Sequence, residues 1–231
     1  MKFLDTILNI LFPVNCISCK KEGSDLCTKC LLSSPPAYRE SVNWIFPLFD
    51  YRHIPIKKSI WLLKYKNKKR LASVFAEIMY GKITEELSEL SIMSNFRESI
   101  LIPIPLSKKR YRERGYNQAQ LICEELIKID KENNLRYSVN VKLGKNSNNF
   151  KLENNVLIKI KETEHQANIK ERRDRLKNLI GSFSVKNPEI IKNRNIILID
   201  DVLTTGATLT EAKKILKQSG ARKIIAFTIA H

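Results

Sequence analysis

Five short apolar runs, rich in β-branched residues, recur through the second half of the chain. They occupy residues 100–104, 156–158, 181–185, 196–199 and 224–229. Nearly continuous apolar runs suit strands that are buried on both faces, as in a parallel sheet covered by helices. Helical patterns lie between several of them, at residues 117–129, 165–179 and 208–219. This alternation predicts an α/β fold, in which helices flank a parallel sheet.

The first part of the chain has a different pattern. Residues 1–12 carry apolar side chains at helical spacing and predict an amphipathic helix. Adjacent prolines at 35 and 36 interrupt regular structure, so we expect two units, residues 1–36 and residues 37–231. Residues 37–95 predict a connector followed by helices, including a long one at 71–90, and residues 142–155 predict a polar loop.

Four cysteines form two Cys-x-x-Cys pairs separated by seven residues: Cys16, Cys19, Cys27 and Cys30. Two such pairs supply four sulfurs at the corners of a tetrahedron, the arrangement that structural zinc prefers. An iron site of the iron–sulfur or rubredoxin type and a pair of disulfides are the alternatives. Four protein ligands leave no open position, so the predicted zinc is structural.

The N-terminus lacks the basic segment and cleavage site of a secretory signal, and no window offers about 18 uncharged apolar residues. We therefore expect a cytoplasmic protein without a transmembrane segment, and the apolar start leaves membrane association open. In a reducing compartment, paired cysteines are more often metal ligands than disulfides.

The net charge is +17, from 41 Lys and Arg against 24 Asp and Glu. Such an excess favours anionic partners, such as nucleic acid, phosphorylated metabolites or an acidic membrane surface. The competing explanation for the positive charge is a genome whose proteins are generally rich in lysine and asparagine. The clustering of the cations favours a polyanionic partner.

Residues 196–208 carry the strongest functional signal. An apolar strand is followed by Asp200 and Asp201, then by a turn of small residues that opens a helix. The turn contains Thr204, Thr205, Gly206, Ala207 and Thr208. Its backbone N–H groups and the helix dipole favour a phosphate. The two carboxylates suit ribose hydroxyls or a magnesium ion. Together they describe a site for a ribose 5-phosphate.

Residues 200–208 resemble the phosphoribosyl pyrophosphate (PRPP) motif of type I phosphoribosyltransferases. Residues 102–119, 165–166 and 172–183 are similar to the signature of the ComF family of competence proteins, and so is the four-cysteine unit. The resemblance implies a type I phosphoribosyltransferase-like sheet with a hood over its site. It also implies handling of incoming single-stranded DNA during natural transformation. The family signature falls on Gln166, Arg172 and Asn178.

Five cations occupy seven consecutive positions: Lys108, Lys109, Arg110, Arg112 and Arg114. Burying them together would be costly, so they are expected at the surface or in contact with anions. One hypothesis is that they neutralise the pyrophosphate of PRPP. A second is that they follow the backbone of single-stranded DNA, with Tyr111 or Tyr116 as a stacking face. A solvated basic surface is the third interpretation.

A second basic stretch, residues 64–70 beside Trp61, predicts either a DNA contact or a solvated helix end. Cys123 lies among apolar residues and predicts a core side chain, and no histidine is assigned a catalytic role. These features add no catalytic group.

Three functions remain open from sequence. The first is a competence protein that handles single-stranded DNA, with a PRPP site that uses magnesium and with DNA-uptake machinery at the inner face of the membrane as partners. The second is an active phosphoribosyltransferase with an unidentified acceptor. In purine-salvage members the position of Thr204 holds an acid, so this chain shows no base toward an acceptor. The third is a structural adaptor held by the zinc unit.

Overall fold

A five-stranded sheet, in which every neighbouring pair is parallel, forms the centre of the molecule. The computed structural model describes residues 14–38, 43–94, 96, 99–140, 149–161 and 179–231. In spatial order the strands are β1 (Ile45–Phe49), β7 (Lys223–Ala230), β6 (Asn195–Val202), β2 (Ser99–Pro103) and β3 (Lys151–Leu152). The parallel sheet predicted from the apolar runs is confirmed.

Helices cover both faces of this sheet. They are α1 (Thr28–Leu32), α2 (Ile54–Tyr65), α3 (Leu71–Ser94), α4 (Lys108–Arg114), α5 (Gln118–Asn140) and α6 (Ala207–Gln218). Successive residues of a strand point to opposite faces. Thus Ile197 joins the apolar cluster that contains residues of α3 and α5, whereas Leu198 joins the cluster that contains residues of α6. The helices predicted at 71–90, 117–129 and 208–219 are present, and the second extends to Asn140.

Two predicted strands do not enter the parallel sheet. Residues of the runs at 156–158 and 181–185 form β4 (Leu157–Lys159) and β5 (Phe183–Val185), which pair with each other in antiparallel orientation. Leu157 and Phe183 pack into the apolar cluster on the α6 side of the sheet. The prediction was wrong because a short apolar run indicates burial without specifying its pairing partner.

Two short strands were not predicted. β1 lies in the expected connector and contains Pro47, which argues against a strand except at a sheet edge. It is an edge strand that pairs with β7. β3 lies inside the expected polar loop and contributes two residues to the opposite edge. β1 and β3 are thus the two edge strands, and the strands that bear the apolar runs lie between them.

The cysteine-bearing segment shares its core with the sheet. Leu26 and Leu31 are fully buried in the same apolar cluster as Phe75 and Phe227. No helix among the described residues has the length and apolarity needed to cross a membrane. The helices predicted at residues 1–12 and 165–179 lie outside the described residues, apart from the very end of the second.

Candidate functional site

The turn between β6 and α6 lies at the carboxyl end of the central strand, the side on which open α/β sheets bind ligands. Gly206 caps the helix with φ 73°, in the left-handed region that glycine adopts without steric cost. The Thr205 hydroxyl oxygen accepts a hydrogen bond from the Ala207 amide at 3.4 Å. A sharp turn therefore leads directly from the strand into the helix.

This turn borders a cavity of about 210 Å³, which is lined by Thr204, Gly206, Ala207 and Thr208. Among the described residues, the amide N–H groups of Thr204, Thr205 and Gly206 have no protein acceptor. The N-terminal end of α6 adds partial positive charge at the same place. The turn thus has hydrogen-bond donors of the kind that an anion would need.

Asp200 and Asp201 line the same cavity. The Asp201 amide donates a hydrogen bond to Oδ1 of Asp200 at 2.8 Å. Burial raises the pKa of Asp200 to about 7, and the neighbouring charge of Asp201 adds to this effect. The two acids therefore differ, since Asp200 holds a proton far more readily than an exposed carboxyl.

The carboxylate of Asp201 is paired with a residue that sequence analysis placed only in a general basic stretch. Nζ of Lys64, in the last turn of α2, lies 2.7 Å from Oδ1 of Asp201. The two side chains are 17% and 14% exposed. An ion pair this shielded is screened less by salt than a surface pair. Because the partners are more than 130 positions apart in sequence, no local pattern indicates their contact.

The basic segment forms α4, whose first turn is capped by the Ser107 hydroxyl oxygen. Arg110 and Arg114 are four residues apart on one helical face and line the cavity. Three other cations of the segment are exposed and do not line it: Lys108, Lys109 and Arg112. The structure therefore brings two of the five predicted cations to the candidate site.

Arg114 is held in place by several contacts. Its guanidinium lies 5.1 Å from the ring centroid of Tyr65, and its Nη1 donates to the Gln118 side-chain oxygen at 2.7 Å. Its Nε is buried and has no hydrogen-bond partner among the described residues. The side chain is thus held in one orientation at the cavity.

Lys159 of β4 also lines the cavity, and no sequence motif indicated it. Of the described residues that line the cavity, four are cationic, namely Lys64, Arg110, Arg114 and Lys159, and two are acidic. The balance favours a ligand with several negative charges. Gln166, Arg172 and Asn178 lie outside the described residues.

The four cysteines lie together, with all Sγ atoms within 4.8 Å of one another. Sγ of Cys19 and Sγ of Cys27 are 3.7 Å apart. A tetrahedral zinc with bonds of about 2.3 Å requires sulfurs roughly 3.8 Å apart, so this donor set fits a metal ion. Cys123 is buried elsewhere, and burial raises the pKa of its thiol well above the usual value.

The thiol of Cys16 is prepared for metal binding. Burial raises its pKa, but backbone N–H donors from Cys27, Cys19 and Ser18 outweigh burial and lower it to about 6. A thiolate is the form that binds metals. The cluster can therefore hold a metal such as zinc.

Comparisons with known proteins show what this chain is similar to. A family model described as "Phosphoribosyl transferase domain" matches residues 133–231. "Competence protein F" of Haemophilus influenzae is 27% identical over 93% of this chain and 89% of its own length. "Competence protein ComFC" of Bacillus subtilis is 34% identical over 67% of this chain and 53% of its own length. This chain is similar to competence proteins of the ComF family over most of its length.

Other relatives of this chain carry a different name. "DNA utilization protein YhgH" of Escherichia coli K12 is 24% identical over 86% of this chain and 74% of its own length. A hypoxanthine phosphoribosyltransferase structure from Staphylococcus aureus is 14% identical, covers 69% of this chain and 62% of its own, and has a TM-score of 0.33. A structural similarity this low does not allow site residues to be assigned from that structure.

Cys19→Ser should weaken zinc binding by more than the roughly 100-fold that loss of a supporting partner causes, because one of four ligands is replaced. Chelator competition on the purified protein measures this affinity. Cys19 is exposed, so the substitution disturbs little packing. Cys123→Ala should leave zinc affinity unchanged because that thiol lies outside the cluster. Equal zinc affinity in Cys19→Ser and the unaltered protein would contradict the metal site.

Asp200→Asn should raise the melting temperature by an amount that grows with pH. The unfolded carboxyl ionises near about pH 4, whereas the folded one has a pKa of about 7. Stability from the neutral carboxyl is therefore present below the unfolded pKa and lost as pH rises through the folded one. We expect a gain on the order of 5 °C at about pH 8 that vanishes toward about pH 4.

Thermal unfolding across this pH range measures the effect. Asp50→Asn is the control, because Arg52 lowers the pKa of the Asp50 carboxyl and its removal should give no gain. A gain for Asp200→Asn that does not change with pH would show that the carboxyl is not held neutral.

Proposed function

We propose that this protein handles incoming single-stranded DNA in natural transformation and that its phosphoribosyltransferase domain binds PRPP. The observation that carries the proposal is the cavity where the β6–α6 turn, two carboxyl groups and two α4 arginines meet. The names of its relatives, "Competence protein F", "Competence protein ComFC" and "DNA utilization protein YhgH", support the cellular role.

The parts of PRPP correspond to the parts of this cavity. The 5-phosphate would accept hydrogen bonds from the turn amides of Thr205 and Gly206 at the positive end of α6. Ribose hydroxyls would donate to the carboxyl groups at the end of β6. The pyrophosphate would pair with Arg110 and Arg114, whose guanidinium groups suit phosphate oxygens. Magnesium would accompany PRPP on its pyrophosphate, whose oxygens are hard ligands.

A surface next to the cavity supports binding of single-stranded DNA. We define the stacking surface as Trp61, Tyr65, Lys66 and Arg114. Trp61 and Tyr65 are 46% and 50% exposed, with ring centroids 6.2 Å apart. Nζ of Lys66 lies 5.4 Å from the Trp61 ring, as Arg114 lies near Tyr65. Proteins that bind single strands combine such aromatic faces with cations.

The alternative function is active transfer of ribose 5-phosphate from PRPP to an acceptor. Asp200 favours it, because a carboxyl in the cavity with a pKa of about 7 can exchange a proton near neutral pH. Thr204 opposes it, because it stands where purine-salvage members carry an acid. Binding without turnover therefore remains the main proposal.

The remaining parts have supporting roles in this proposal. Zinc in the cysteine cluster would stabilise the segment that packs against the sheet. We expect a cytoplasmic protein that meets proteins of the DNA-uptake machinery at the inner face of the membrane. The exposed cations of α4 would be available to the same DNA.

Gly206→Ala should weaken PRPP binding about tenfold or more, because a Cβ at φ 73° costs about 1–2 kcal/mol and shifts the turn amides. Calorimetric titration of PRPP with magnesium measures the affinity. Gly220→Ala is the matched control, since it imposes similar strain, at φ 94°, beyond the other end of α6. The PRPP proposal fails if Gly206→Ala and Gly220→Ala bind PRPP as tightly as the unaltered protein.

Trp61→Ala should weaken binding of a single-stranded oligonucleotide by about 1–3 kcal/mol, because one base loses its aromatic partner. Replacing Lys108 and Lys109 together by Gln should reduce the slope of log affinity against log salt by about 1.4, since two phosphate contacts are lost. Fluorescence anisotropy at several salt concentrations measures both quantities.

Tyr38→Ala is the control for the aromatic substitution, because the Tyr38 ring is also exposed, at 81%, but lies outside the stacking surface. The proposed DNA surface is wrong if Trp61→Ala leaves DNA affinity unchanged and the lysine variant leaves the salt slope unchanged.

A further inference from the structure

Lys64 is held rigidly at the cavity. It belongs to the last turn of α2, where Ile60 and Leu63 are fully buried. The Tyr116 hydroxyl donates a hydrogen bond to the Leu63 carbonyl and ties this turn to the segment after α4. Because packing already orders this backbone, forming the ion pair costs only the rotamer freedom of the lysine side chain. The ion pair with Asp201 is therefore a fixed part of the site.

The position of Lys64 conflicts with direct metal binding by the two acids. Magnesium requires near-octahedral oxygen ligands at about 2.1 Å and usually one or two protein carboxylates. Oδ1 of Asp201 is instead in contact with the Lys64 ammonium at 2.7 Å. A magnesium ion at the same carboxylate would have to displace a largely buried lysine or be repelled by it. The donor set at the end of β6 thus does not fit a metal ion held by Asp201.

The cavity also contains other fixed cations. Arg110, Arg114 and Lys159 line it together with Lys64. The chain therefore supplies positive charge on several sides of the space that a ribose phosphate would occupy. A ligand with several negative charges meets these cations without needing a metal ion already bound to the protein.

We propose that Lys64 takes the place of a divalent cation at Asp201, so that the site binds PRPP through cations of the chain itself. This inference rests on the proposed PRPP site. It states which cations balance the negative charge of the ligand and of Asp201. Lys64 acts as a positioning residue, because it neutralises and orients Asp201 for a ribose hydroxyl. It also connects α2, which precedes the family-matched residues 133–231, to the ligand.

Calorimetric titration of PRPP into the zinc-loaded protein, in magnesium-free buffer and in excess magnesium, tests the inference. The unaltered protein should bind PRPP with affinities that agree within about threefold in the two conditions. Lys64→Met removes the charge at similar length, and its PRPP affinity should fall at least about tenfold without magnesium and recover largely in magnesium. Lys64→Arg should keep the behaviour of the unaltered protein. Lys159→Met, the matched control, should lose affinity equally in both conditions because Lys159 has no ion pair with Asp201.

A second measurement does not depend on PRPP. Titration of Mn²⁺ monitored by electron paramagnetic resonance should detect no ion bound at the end of β6 in the zinc-loaded, unaltered protein. Lys64→Met should gain one Mn²⁺ site, and adding Asp201→Asn should remove it. The inference is overturned if the unaltered protein binds Mn²⁺ in a manner abolished by Asp201→Asn, or if Lys64→Met gains no site.

The two measurements separate this inference from the proposed function. Absence of PRPP binding in every condition refutes the PRPP site, whereas the Mn²⁺ titration still decides whether Lys64 occupies the cation position. A loss of PRPP affinity in Lys64→Met that magnesium does not restore would also overturn the inference, because Lys64 would then act only on the anion.

Discussion

Burial of β6 on both faces determines where everything else in the site lies. Its residues 196–199 are fully buried between the cluster containing α3 and α5 residues and the cluster containing α6 residues. Apolar side chains at four consecutive positions favour the centre of the sheet for this strand, because only there are both of its faces covered. The two acids that follow must then emerge at the carboxyl edge. The turn to α6 closes behind them and completes the cavity.

The N-terminal part of the chain contributes to this site as much as the phosphoribosyltransferase motif does. α2 provides Lys64 to the cavity and Tyr65 to the stacking surface. An ion pair of 3.2 Å joins Lys68, just beyond α2, to the buried Asp25 of the cysteine segment. The cysteine cluster, α2 and the cavity therefore form one connected structure. Loss of a metal from the cluster would therefore be expected to disturb the position of Lys64.

Sequence alone predicted the parts of this molecule that depend on local pattern. The apolar strand, the acids and the small-residue turn at 196–208 are consecutive, so their joint placement followed from the rule for parallel sheets. The four cysteines were predicted for the same reason, since their spacing specifies the geometry. The helical spacing of α4 also explains why Arg110 and Arg114, rather than their neighbours, face the cavity.

What sequence could not predict depends on contacts between distant residues. Lys64 and Asp201 meet only because α2 packs beside the carboxyl edge of the sheet. The pairing of β4 with β5 was missed because an apolar run carries no information about its partner. β1 was missed because Pro47 is disfavoured in strands, and only its position at an edge makes it acceptable.

The position of β1 has a further consequence for solubility. An exposed strand edge invites other chains to add strands and aggregate. Pro47 has no amide hydrogen to offer such a strand, and the chain at residues 35–37 crosses the outer side of β1 through hydrogen bonds to Leu48 and Asp50. At the other edge, β3 is only two residues long. Along its described edges, the sheet therefore offers little unpaired backbone to which a strand of another chain could add.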